Sequence, residues 1–155
     1  MTTMIVPVWI SSKSRPKEEI VIYALMDTQS DTSFIAKSVG EQLSKGWQTA
    51  LKISTMTAKQ KSSMCTRYND VQIRGLHSEA YISIPEVFSR GEIPAEWSHI
   101  RTPSAAQKWN HLWSVSEKIS LLQDCPIALL IGYNCPEALR PLHVQSGTTE
   151  EHYAI

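Results

Sequence analysis

The residues with the clearest potential for chemistry are Asp27, Thr28 and Ser30, within the stretch EIVIYALMDTQSDTSFI that runs from Glu19 to Ile35. A run of aliphatic residues, typical of a buried strand, ends directly at the Asp27 carboxylate. Either Asp27 opens an ordinary polar turn, or the strand holds this carboxylate where it can take part in acid–base chemistry.

Other kinds of catalytic or binding site lack their motifs in this chain. No two glycines have the spacing of a dinucleotide fingerprint, and GEQLSKGW has neither the spacing nor the following lysine of a phosphate-binding loop. No G-x-S-x-G segment is present for a serine hydrolase. The histidines lack the tight spacing and paired cysteines of a zinc site, so we expect no metal and no cofactor; they are His77, His99, His111, His143 and His152.

The composition is that of a single globular domain over residues 1–155, with 42% hydrophobic and 19% charged residues. The 15 basic and 15 acidic residues balance, so no net charge draws the chain to nucleic acid or to a membrane surface. The opening MTTMIVPVWISS lacks a cationic start, and Pro7 interrupts an apolar run that is too short to span a membrane. Together with three widely spaced cysteines, this predicts an intracellular protein with reduced thiols, in the cytoplasm or the nucleus, with the cytoplasm preferred.

The first third of the chain is patterned as β structure. The segments MIVPVWIS and EIVIYALM are rich in β-branched and aromatic residues, and they flank the polar segment SKSRPKE. This pattern predicts a long hairpin that carries Asp27 at the end of its second strand. After the polar turn DTQSDT, the segment SFIAKSVGEQLSKG predicts a short helix that ends at Gly46.

The alternation of apolar and polar residues over residues 51–87 predicts further strands. Two of them form a second hairpin whose tip is the polar segment TAKQKSS. A helix is expected over residues 102–119, because Thr102 can cap it, Pro103 suits its first position, and apolar residues recur at spacings of three and four. The segment PIALLIGYN then predicts a fully buried strand that ends at Gly132, followed by a one-turn helix at CPEALRP.

Two of these segments resemble the signatures of aspartic proteases. ALMDTQSDTSFI resembles the active-site loop, in which two hydrophobic residues precede D-T-G and a serine or threonine. IALLIGYN resembles the second signature, in which aliphatic residues and a glycine precede a polar turn. With MIVPVWISS, VQIRGL and HIRTPSAAQKWNHL they form an ordered set that resembles the protease domain of BEL/Pao-type retrotransposon polyproteins over residues 4–153.

The resemblance implies a mainly β, retropepsin-like half-enzyme: a closed, barrel-like sheet with a flap hairpin and a helical insertion near residues 102–119. It also implies an aspartic endopeptidase that processes the polyprotein of its parent element. In such an enzyme two neighbouring carboxylates share a proton and activate a water molecule for attack on a peptide bond. The chain has only one D-T-x-S segment, so the second carboxylate has to be Asp27 of another copy, and a homodimer is expected.

The resemblance assigns roles to the residues around Asp27. Thr28 would hydrogen-bond to the partner loop, Ser30 would orient the carboxylate, and Gly132 would support the loop from below. The flap that closes over an extended peptide substrate would be formed by Thr57, Ala58, Lys59, Gln60 and Lys61.

The sequence departs from the family pattern at two places. Gln29 stands where the family has glycine, and the tip segment TAKQKSS contains no glycine. The glutamine at position 29 leaves a second hypothesis open, in which the chain keeps the fold as a dimerisation or peptide-binding module with little or no catalytic activity.

Overall fold

The computed structural model describes residues 4–53, 61–100, 102–103, 107–108, 110 and 123–140. These residues are mainly β, as the sequence predicts. The strands are β1 (Met4–Ser12), β2 (Arg15–Met26), β3 (Ser33–Ala36), β4 (Trp47–Ile53), β5 (Lys61–Tyr68), β6 (Val71–Gly75), β7 (Ile82–Ile84), β8 (Val87–Arg90) and β9 (Ile127–Ile131). The helices are α1 (Lys37–Leu43), a 3-10 turn (Trp97–His99) and α2 (Pro136–Leu139).

All nine strands belong to one mixed sheet in the order β4-β5-β8-β3-β9-β2-β1-β6-β7. The sheet is open: within the described residues β4 pairs only with β5, and β7 pairs only with β6. The expected closed, barrel-like sheet is therefore not formed by these strands. Closure requires the two edge strands to pair, and the alternation of apolar residues in a sequence does not reveal whether they do.

The predicted N-terminal hairpin is confirmed, with β1 and β2 paired from Met4 opposite Met26 to Ser12 opposite Arg15. Its turn is shorter than the polar segment SKSRPKE suggested. The backbone N–H of Lys13 donates to the Asp70 carbonyl at 2.7 Å, and the Ser12 hydroxyl donates to the Asp70 carboxylate at 2.7 Å. These contacts hold the turn against the loop between β5 and β6.

The helix expected from SFIAKSVGEQLSKG was predicted too long at both ends. Its first four residues form β3, which pairs with β8 in parallel and with β9 in antiparallel orientation. Ser33, Phe34 and Ile35 are buried there, so pairing and burial outweigh local helix propensity. The helix α1 ends at Leu43, and Gly46 lies three residues beyond it with φ of 56°, a backbone conformation that suits glycine.

Both faces of the central strands are covered by apolar side chains. Along β2, Ile22 and Ala24 face one core cluster, while Tyr23 and Leu25 face the other. A strand buried on both faces needs a continuous apolar sequence. This explains the run of aliphatic residues that precedes Asp27.

The helix expected over residues 102–119 and the tail after residue 140 lie almost wholly outside the described residues. The segment that precedes this helix and the segment that follows it both contact Tyr23. The Trp97 ring packs edge-on against Tyr23 at 5.7 Å between ring centroids, and the backbone N–H of Gln123 donates to the Tyr23 hydroxyl at 2.7 Å. Within the described part of the chain, no helix combines the length and the apolar character needed to span a membrane.

A charged cluster lies near the opposite edge of the sheet from β4. Arg74 donates to Glu19 through Nε at 2.9 Å and Nη2 at 2.5 Å, and its guanidinium stacks over the Trp9 ring at 5.4 Å. The Tyr81 hydroxyl donates to Glu19 at 2.6 Å. Hydrogen bonds from Arg74 and Tyr81 lower the pKa of Glu19, and the bond to Glu19 raises the pKa of Arg74. The cluster joins β1, β2 and β6 to the segment before β7.

Candidate active site

The Asp27 carboxylate lies where three strands meet. β9 is inserted between β2 and β3, parallel to β2 and antiparallel to β3. The chain therefore has to cross over the end of β9 when it passes from β2 to β3, and Asp27 is the first residue of that crossing. Its backbone N–H donates to the Ile131 carbonyl at 2.9 Å, which continues the β2–β9 pairing by one residue. Asp27 is half-buried in this position.

The loop after Asp27 is held by short-range hydrogen bonds. The N–H of Gln29 donates to Asp27 Oδ1 at 2.9 Å, and the N–H of Ser30 donates to the Asp27 carbonyl at 3.4 Å. The Ser30 hydroxyl donates to the Thr32 carbonyl at 2.7 Å and accepts from the Thr32 N–H at 3.3 Å. In this chain the described donor to the carboxylate is thus the Gln29 backbone, while Ser30 braces the far side of the loop.

Thr28 and Gln29 are exposed at the tip of the loop. None of the described non-glycine residues has a positive φ, and this includes Gln29. The backbone at this position therefore does not need the freedom of glycine, which the aspartic-protease signature has at the matching place. The substitution leaves Gln29 with an exposed side chain on an unstrained backbone.

Gly132 lies directly beneath the loop. A Cβ atom at this position would lie 2.7 Å from the Ser30 carbonyl oxygen and still closer to the Thr32 carbonyl oxygen. Tyr133 N–H also donates to the Ser30 carbonyl at 2.8 Å. Because the loop backbone rests on the end of β9 at these distances, any side chain at position 132 would displace it.

Two polar residues that sequence reasoning did not identify lie in the same place. Ser33 is fully buried, and its hydroxyl accepts from the Gly132 N–H at 3.0 Å and donates to Asn134 Oδ1 at 2.6 Å. Asn134 Nδ2 donates to the Glu86 carbonyl at 2.8 Å. The signals available in the sequence were a serine that opens an apolar strand and an asparagine two residues after the glycine.

The hairpin expected to act as a flap is present as β4 and β5, paired from Trp47 opposite Arg67 to Ile53 opposite Lys61. Its tip, with the candidate flap residues Thr57, Ala58, Lys59 and Gln60, lies outside the described residues, and Lys61 is the first residue of β5. The only strand besides β4 that pairs with β5 in the described region is β8, through Arg67 and Tyr68. Within the described residues, the β4–β5 hairpin is therefore joined to the rest of the sheet only at its base, through these two residues of β5.

Other reactive groups in the described region do not form a second site. Burial raises the pKa of the thiols of Cys65, Cys125 and Cys135, which keeps them protonated at neutral pH. Across residues 4–53, 61–100 and 123–140, no three His, Cys, Asp or Glu side chains are placed to hold a metal ion. The exposed carboxylate of Asp31 accepts from the Thr32 hydroxyl at 2.9 Å.

Comparison of the chain with models of known protein families and with curated protein sequences finds no match.

Proposed function

We propose that this protein is an aspartic endopeptidase of the retropepsin type, active as a homodimer with one Asp27 from each subunit. The observation that carries the proposal is the setting of Asp27. A half-buried carboxylate follows a strand buried on both faces, its backbone is bonded to Ile131, and its loop rests on Gly132. An ordinary polar turn needs none of these constraints.

The chemistry follows from bringing two such carboxylates together across a two-fold axis. Because the pair cannot carry two negative charges at close range, its members share one proton. The ionised carboxylate removes a proton from a water molecule between them, and the resulting hydroxide attacks the peptide carbonyl carbon. The protonated carboxyl group donates its proton to the carbonyl oxygen as the C=O π bond opens. The proton taken from water then passes from the other carboxyl group to the amide nitrogen, and the C–N bond breaks to release an amine and a carboxylic acid.

The exposed loop tip supports the assignment of a dimer. Thr28 and Gln29 are exposed in a single copy of the chain, and Tyr133, next to Gly132, is 57% exposed. A second copy related by a two-fold axis would cover this surface with the same residues and would supply the missing carboxylate. The sequence contains no other D-T-x-S segment that could do so within one chain.

The β4–β5 hairpin supports an extended peptide as the substrate. A hairpin at the edge of a sheet has unpaired backbone groups, and such groups bind a peptide by adding it as a further strand. The resemblance to BEL/Pao-type protease domains favours a polyprotein as the natural substrate. We therefore place the peptide between this hairpin and the two copies of Asp27.

Cleavage is expected to depend on protein concentration in a way that follows the dimer. Purified protein is incubated with a peptide library at several pH values between about 4 and 7, and the dimer fraction is measured by sedimentation at each pH. Specific activity should rise with concentration in step with the dimer fraction. Cleavage by a strictly monomeric protein would contradict the two-subunit site.

The second candidate function is a protease-fold module for dimerisation or peptide binding, in which Gln29 has removed catalysis. The absence of a positive φ at Gln29 argues against this, because the backbone adopts the loop without strain. We expect Gln29→Gly to change the cleavage rate by less than about three-fold, since the side chain it removes is exposed, and to destabilise the fold by about 0.4–1 kcal/mol through the added freedom of the unfolded chain.

Glu79→Gly, at another exposed loop position, is the matched control for the stability effect. A large gain of cleavage in Gln29→Gly, starting from an inactive wild-type protein that still binds peptides, would establish the module instead.

A further inference from the structure

A hydrogen bond between the fully buried Ser33 and the half-buried Asn134 joins two segments that lie 101 positions apart in the sequence. Ser33 opens β3, at the far end of the loop that begins at Asp27, and Asn134 follows β9. The Ser33 hydroxyl has one hydrogen, which it gives to Asn134 Oδ1 at 2.6 Å, and this leaves a lone pair to accept the Gly132 N–H at 3.0 Å. These two hydrogen bonds thus fix the position of Gly132 relative to the loop.

The other end of the Asn134 amide contacts a different part of the molecule. Its Nδ2 donates to the Glu86 carbonyl at 2.8 Å, just before β8. The Glu86 carboxylate forms an ion pair with Nε of Arg67 in β5, and the Arg67 guanidinium lies over the Trp47 ring of β4 at 5.5 Å. The Asn134 side-chain amide therefore connects Ser33, beneath the Asp27 loop, to Glu86, which contacts Arg67 at the base of the β4–β5 hairpin.

Only a side chain with a donor and an acceptor in fixed geometry can make both contacts. The oxygen of Asn134 has to face the Ser33 hydroxyl hydrogen, and its NH₂ group has to face the Glu86 carbonyl. An aspartate keeps the shape but places an oxygen against the Glu86 carbonyl oxygen, where no hydrogen bond can form unless the carboxyl group is protonated.

We propose that Asn134 is a positioning residue for Asp27, which sets the loop on β9 and holds it in register with the base of the hairpin that covers the substrate. This inference rests on the proposed function, and it names a residue that acts on the reaction without touching the reacting atoms.

The test is the variant Asn134→Asp, examined by peptide cleavage and by amide hydrogen exchange of the protein without substrate. At pH 7 we expect kcat to fall by about 10- to 100-fold with KM changed by less than about two-fold, because a misplaced carboxylate loses orientation rather than substrate affinity. Exchange of the Gly132 amide should become faster. Toward pH 4 the new carboxyl group takes up a proton and can donate a hydrogen bond to the Glu86 carbonyl. The differences from wild type in kcat and in Gly132 exchange should therefore both become smaller.

Gln72→Glu is the matched control, because Gln72 Nε2 donates to the buried Ser11 hydroxyl at 3.2 Å in the β1–β6 pair, away from the loop. It should lower stability without changing kcat or the exchange of Gly132. If Asn134→Asp does not fold, Ser33→Ala serves as the test variant and Ser11→Ala as its control, because neither change adds a charge. Two results would overturn the inference. One is a loss of kcat in Gln72→Glu or Ser11→Ala as large as in its partner variant, Asn134→Asp or Ser33→Ala. The other is an unchanged exchange rate of the Gly132 amide in Asn134→Asp and Ser33→Ala. If the wild-type protein cleaves nothing, the proposed function fails and the exchange comparison alone decides whether Asn134 positions the loop.

Discussion

Asp27→Asn is expected to lower peptide cleavage by at least about 1,000-fold, because the variant dimer has no ionised carboxylate to remove a proton from water. The fold should survive the change. Asp27 Oδ1 accepts a hydrogen bond from the Gln29 N–H at 2.9 Å, and the amide oxygen of asparagine can accept the same bond. The measurement is the cleavage rate of the best library peptide, together with sedimentation of the variant.

Asp31→Asn is the matched control for this variant. It removes the same charge from the same loop, at an exposed residue whose carboxylate accepts from the Thr32 hydroxyl. We expect its cleavage rate to stay within about three-fold of wild type, as for most surface substitutions. Comparable losses in both variants would attribute the effect to loop charge and not to a catalytic carboxylate.

Mixing the subunits tests the shared site directly. When wild-type protein is mixed with an equal amount of Asp27→Asn, well above the dimer dissociation constant, random pairing places about half of the wild-type subunits in mixed dimers with one carboxylate. Activity should therefore fall to about half. An activity that does not change on mixing would mean that each subunit carries a complete site of its own.

Gly132→Ala is expected to destabilise the protein by about 1–3 kcal/mol or more and to abolish cleavage in whatever fraction remains folded. The added methyl group would lie 2.7 Å from the Ser30 carbonyl oxygen and closer still to that of Thr32. Both neighbours are backbone atoms, so a side-chain rotation cannot relieve the overlap and the loop itself has to move. Chemical unfolding of the purified variant measures the loss of stability.

Gly91→Ala provides the comparison, since a Cβ at that position meets nothing within 4 Å. It should be neutral or slightly stabilising through the reduced freedom of the unfolded chain. If Gly132→Ala were as stable as Gly91→Ala, the loop would not rest on the end of β9 as described.

Much of the β structure could be predicted from the sequence because its signals are local. β1 and β2 are rich in β-branched and aromatic residues, and β9 is an unbroken apolar run bounded by a proline and a glycine. The prediction was wrong at Ser33–Ala36, where the strand is created by pairing with β8 and β9 on either side. Four residues carry too little periodicity to reveal such partners.

The candidate site could be predicted in part for the same reason. Asp27 and Gly132 stand out because each ends an apolar strand, which is visible within a few residues. The contact between Ser33 and Asn134 is invisible in the sequence, because it exists only after distant strands have come together. The open edges of the sheet could not be predicted either, since alternation along a strand is the same in an open and a closed sheet.

The insertion of β9 between β2 and β3 has a consequence for how the chain is made. On the ribosome, β2 and β3 emerge about 100 residues before the strand that has to separate them, and such long-range pairing is slow to form. Until residues 127–131 have been synthesised, the Asp27 N–H lacks its Ile131 carbonyl and Ser33 lacks Gly132. On the proposed function, the support of the Asp27 loop is therefore incomplete until this late strand has left the ribosome.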